Sequence, residues 1–71
     1  MKIIKNWLFC NRKLNSTGRF VPCSLNLDTI VEIVDRNGHI AIIIDYDGNM
    51  IQTDVDTITF MSKFQKYLLN N

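Results

Sequence analysis

Two turn-forming dipeptides, Asn37-Gly38 and Asp47-Gly48, each stand between apolar runs. Such pairs supply the positive backbone angles of two-residue hairpin turns, so the chain around them is confined to short antiparallel strands. Read through Asn37-Gly38, a strand from Leu25 to Asp35 pairs with Ile40 to Tyr46, setting Ile33 opposite Ile42 and Val31 opposite Ile44. Read through Asp47-Gly48, a third strand, Met50 to Asp56, sets Ile51 against Ile44 and Thr53 against Ile42. The spacing predicts a three-stranded meander. One face collects Leu27, Val31, Ile33, Ile40, Ile42, Ile44, Ile51 and Val55 as a core. The other is mixed, with Ile30, Val34, Ala41, Ile43 and Met50 beside Glu32, Asp45, Gln52 and Asp54, and is read as partly covered or as a binding surface.

A three-stranded sheet is marginal by itself, so the remaining segments must cover its apolar face. With Thr59 as N-cap, Phe60, Phe64, Tyr67 and Leu68 recur at helical spacing opposite Lys63 and Lys66, which predicts a helix over 59–69. The first ten residues read better as a strand than as a helix. Asn11 to Arg19 is polar and turn-rich, and Phe20 opens an extended segment in which Pro22 demands an edge. Five short strands and a terminal helix make a mainly β (α+β) domain, one unit of 71 residues. The pattern resembles either a small bent antiparallel sheet or an SH3-like or Sm-like barrel with one C-terminal helix.

Charge is segregated along the chain. Lys2, Lys5, Arg12, Lys13 and Arg19 precede the first acid, and all seven acids fall between Asp28 and Asp56. Segregation of this kind acts on partner choice and encounter rate more than on fold. The Ile, Asn and Lys bias is that of an AT-rich genome, which points to a low-GC bacterium or a phage. No apolar stretch approaches the roughly 18 residues of a membrane span, and polar residues break any secretory leader, so a cytoplasmic protein with no membrane partner is expected.

Catalysis finds little support in one histidine, two unpaired cysteines, one glutamate and no Gly-x-Ser-x-Gly or His-Glu-x-x-His arrangement. His39, just after the first turn, reads as an exposed strand-start residue. Asp45, Asp47, Asn49 and Asp56 have the spacing of an EF-hand loop, but Met50 stands where that loop needs glycine, so no metal is expected. Cys10 and Cys23 lack metal-ligand spacing and read as reduced thiols. No cofactor is implied.

Two binding readings remain. The preferred one is a non-enzymatic regulatory protein, an inhibitor of the kind a phage uses in host takeover. It docks on a host or cellular protein through an acidic hairpin (Asp45, Asp47, Asp54, Asp56) and the adjoining Ile43 and Met50. The alternative is a small RNA- or DNA-binding β-barrel. It uses Lys2, Lys5, Arg12, Lys13 and Arg19, interleaved with Trp7, Phe9 and Phe20: charge for phosphates, rings for bases. Against it, so small a chain is expected to need Trp7 and Phe9 in its core. Homodimerisation through the mixed face is open.

Overall fold

The computed structural model describes residues 1–36 and 40–70. Six strands run as β1 (Lys2–Ile4), β2 (Trp7–Lys13), β3 (Phe20–Asn26), β4 (Ile30–Arg36), β5 (Ile40–Asp45) and β6 (Met50–Asp56), followed by one helix, α1 (Thr57–Leu69). A single 3-10 turn, Leu27–Thr29, separates β3 from β4. The strands form an antiparallel sheet in the order β1-β2-β6-β5-β4, with β3 beside β2, and it does not close into a barrel. The bent-sheet form of the expected mainly β fold is therefore the one adopted.

β2 organises the sheet. Along one side it pairs with β3 from Trp7↔Asn26 to Lys13↔Phe20. Along the other its first half pairs with β1 and its second half meets β6 at Arg12↔Thr53. Pro22 lies opposite Asn11 on β3, which pairs only with β2, so the proline holds the edge that its missing N–H requires. Leu14 N–H donates to Arg19 C=O at 2.8 Å, and that parity makes Asn11↔Pro22 a non-hydrogen-bonded pair, where no donor is needed.

The meander forms, but both hairpins are one residue out of the expected register. Ile33 pairs with Ile43 rather than Ile42, and Glu32 rather than Val31 pairs with Ile44. In the second hairpin Ile43 faces Ile51, and Ile42 faces Gln52. The second turn shows the cause. Gly48 N–H donates to Asp45 C=O at 3.0 Å, and Gly48 takes φ +80°, so a three-residue loop with a left-handed glycine replaces the two-residue turn. The Asp45 carboxylate favours this loop by accepting from Asp47 N at 3.0 Å and from Asn49 N at 3.0 Å. In the first hairpin the innermost pair is Arg36↔Ile40. The Asn37-Gly38 turn itself and His39 lie outside the described residues.

A one-residue slip exchanges faces. On β5 the core side carries Ala41 and Ile43, while Ile42 and Ile44 lie on the other side; on β6 Ile51, Thr53 and Val55 point inward as their alternation implies. A bulge between Ile30 and Glu32 turns both Ile30 and Ile33 towards the core and leaves Val31 exposed. The mixed outer face assigned to Ile30, Ala41 and Ile43 is thus corrected: all three pack inside. Leu27 is buried, from the 3-10 turn rather than a strand, because Asn26 Oδ1 accepts from Asp28 N and breaks the extended run.

Leu8, Leu27, Ala41, Ile43, Ile51, Val55 and Phe60 form the core between the sheet and α1. The helix starts two residues earlier than expected. Its N-cap is Asp56, whose carboxylate accepts from Thr59 N and Thr59 Oγ1, both at 2.9 Å. Phe60 is fully buried, and Phe64 and Tyr67 follow it at 5.6 and 6.1 Å centroid spacing as a stacked ladder. Among the described residues no helix is long and apolar enough to cross a membrane.

Candidate nucleic-acid interface

The four acids are spread along the second hairpin rather than gathered at its tip. Asp45 and Asp47 stand at the β5–β6 loop, whereas Asp54 and Asp56 lie four and six residues along β6 from Met50, about 13 and 20 Å away at strand rise. Three of the four also serve the fold. Asp45 closes its loop, and the Asn49 side-chain and backbone donors hold its carboxyl below the usual range. Asp54 accepts from Asn11 N at 3.1 Å and Asn11 Nδ2 at 2.8 Å, which joins β6 to β2. Partial burial pushes the Asp54 carboxyl up, but the Asn11 bonds outweigh it and the net direction is down. Asp56 caps α1. Of the two apolar residues expected beside them, Ile43 is 1% exposed and unavailable, while Met50 is exposed near the loop. Among the described residues no three metal-ligating side chains converge.

The basic segment is distributed differently. Directly paired residues of an antiparallel sheet share a face, so Lys2, Ile4, Trp7, Phe9, Asn11, Lys13, Phe20, Pro22 and Ser24 all belong to the side of β1-β2-β3 away from the core. Leu8 and Cys10 take the inner side. Trp7, Phe9 and Phe20 are 42, 43 and 44% exposed. Trp7 and Phe9 are not core, contrary to the expectation for so small a chain, because Leu8, Leu25 and Cys10 fill the space beneath them. Trp7 and Phe9, two residues apart, sit about 7 Å from each other along β2, and the track to the Lys13↔Phe20 pair runs about 20 Å.

Not every basic residue joins this face. Lys2 lies opposite Phe9, in the middle of the track, and Lys13 opposite Phe20 at its far end, while Ile4 stands opposite Trp7. Lys5 sits in the β1–β2 turn. Arg19 is exposed just before Phe20. Arg12 points to the inner side opposite Thr53, sharing a crevice with Asp45 and Asn49, and its buried Nε has no hydrogen-bond partner. The charge segregation along the chain is therefore only partly a segregation in space, since β6 is brought against β2. Sequence reasoning placed Lys63 and Lys66 merely on the polar side of a helix; folding carries them to the same groove as Lys5. No local signal marks that meeting.

No protein-family model, curated protein or solved structure matches the chain.

Proposed function

We propose that the protein binds single-stranded nucleic acid on the outer face of β1-β2-β3 and carries out no chemistry of its own. The observation that supports this reading is the exposure of Trp7, Phe9 and Phe20 on one face with Lys2 and Lys13 beside them. Every base has a π-face, so aromatic rings in a row accept successive bases without demanding a sequence, while ammonium groups follow the phosphates. A sheet suits the task because it holds side chains at fixed intervals on a rigid plane. On this reading the protein acts in the cytoplasm.

Binding of a fluorescent oligothymidylate, followed by anisotropy and by Trp7 emission, tests it. Phe9→Ala should weaken binding by about 5- to 150-fold, from roughly 1–3 kcal/mol per stacked base. Two phosphate contacts, from Lys2 and Lys13, should give a log–log salt slope of about −1.4, reduced by about 0.7 in Lys13→Gln. No binding at low salt, or binding indifferent to Phe9, would overturn the proposal.

A second reading keeps protein docking at the β5–β6 loop, because Tyr46 and Met50 are 71 and 64% exposed there beside Asp47. Exposed aromatic and methionine side chains at a loop tip are the groups interfaces favour. Capture of a protein that survives nuclease treatment and is lost in Tyr46→Ala would favour this site over the aromatic face.

A further inference from the structure

A second basic site lies on the core side of the molecule, between the β1–β2 turn and the C-terminal half of α1. This open groove of about 770 Å³ is lined by Lys5, Lys63 and Lys66, with Ile3, Asn6 and Asp28 on the sheet side and Tyr67 and Asn70 on the helix side. The three lysines come from two elements more than fifty residues apart in sequence. Among the described residues, none of their ammonium groups is in an ion pair. Among the described residues Asp28 is the one carboxylate in the lining, and it is already engaged, accepting from Tyr67 Oη at 2.5 Å and from Asn6 Nδ2 at 3.4 Å. The formal balance of the described lining residues is three positive charges against one negative.

The walls are held in place. Tyr67 ends the aromatic ladder that begins at buried Phe60, so its ring is fixed by stacking and its hydroxyl by Asp28. Lys5 is the only non-glycine residue with positive φ among the described residues, at +54°, in a two-residue turn that would ordinarily put glycine there. Backbone strain of this kind is retained where the surrounding structure over-determines it, commonly beside a ligand. Here a lysine occupies the strained position and faces the groove.

We propose that this groove binds the phosphate monoester of a nucleotide, with the phosphate among Lys5, Lys63 and Lys66 and the base or sugar against Tyr67 and Ile3. A monoester carries about −1.5 to −2 charges at neutral pH, which matches the excess of two positive charges; a backbone diester carries one. The volume falls within the roughly 300–1,000 Å³ of small-ligand sites. The same chemistry is offered by a free nucleotide and by the phosphorylated end of a strand lying on the outer face, since Lys5 and Asn6 of the groove form the turn next to the outer-face pair Ile4↔Trp7.

Three probes distinguish these sources: adenosine monophosphate, a 5′-phosphorylated oligothymidylate and its 5′-hydroxyl counterpart, each titrated at low salt against wild type and Lys63→Gln/Lys66→Gln. Saturable binding of the free nucleotide, at least tenfold weaker in the double variant, assigns the groove to nucleotides. Tighter binding of the phosphorylated than of the hydroxyl strand, with the difference abolished in the double variant and hydroxyl-strand binding unchanged, assigns it to strand ends. Tyr67→Phe, which loses the bond to Asp28 but keeps the ring, should weaken the same ligand more mildly. Equal affinity for the two strands together with no nucleotide binding overturns the proposal, as does nucleotide binding indifferent to the lysines. The nucleotide arm does not depend on the outer face, so Phe9→Ala separates failure of one site from failure of the other.

Discussion

Cys10 and Cys23 stand directly opposite each other on β2 and β3 with sulfurs 3.7 Å apart, a pairing that their spacing in the chain does not disclose. Burial first, and the neighbouring Cys23 second, push the Cys10 thiol up from an ordinary 9.0 to about 12. The linkage has a definite sign. Below 9.0 the thiol is neutral folded and unfolded; above it the unfolded chain releases a proton that the folded protein keeps, so stability is lost as pH rises from 9.0 towards about 12. Urea midpoints across that interval should fall more steeply for wild type than for Cys10→Ser, since other titrating groups are common to both. Parallel slopes would mean that the thiol is not perturbed. At this scale residue type was legible in the sequence, but environment was not: Asp45, Asp54 and Asp56 read as parts of an acidic docking hairpin, and each is bound to backbone or amide donors.

Elements were legible where the pattern had only one solution. β6 alternates strictly, so Ile51, Thr53 and Val55 could face only one way. In β5 the run Ile40-Ala-Ile-Ile-Ile44 has no alternation, and the face was left to loop geometry, which chose Ala41 and Ile43. The helix was recognised from its apolar spacing, but the buried ring is Phe60, with Phe64 half-buried at the edge of the packing. Phe60→Ala should accordingly cost about 3–5 kcal/mol, and Phe64→Ala clearly less, in chemical denaturation. Equal losses would show that the helix sits differently on the sheet. The order of effects, more than their size, reports the packing.

At the scale of the whole molecule, two three-stranded units meet where β2 and β6 touch, through the Arg12↔Thr53 pair and the Asn11–Asp54 bonds, with α1 packed across the inner side. Because Asn11 holds the Asp54 carboxyl below its ordinary 3.8, the joint is intact above that pH and is lost as pH falls below it. Asn11→Ala removes the side-chain bond and keeps the backbone one, so its acid unfolding should begin at higher pH than that of wild type; coincident acid transitions would show that the contact does not hold the units together. The sequence alone determined that the chain is mainly β with a terminal helix, that Asp47-Gly48 lies in a turn and that Pro22 lies on an edge, because these follow from backbone angles, missing donors and local periodicity. Only the tertiary structure decided which face of β5 is buried, that Trp7, Phe9 and Phe20 stay outside, and that Lys5 meets Lys63 and Lys66. Those outcomes depend on loop register and on contacts between residues distant in the chain, where a one-residue shift exchanges inside for outside and no nearby residue records the choice.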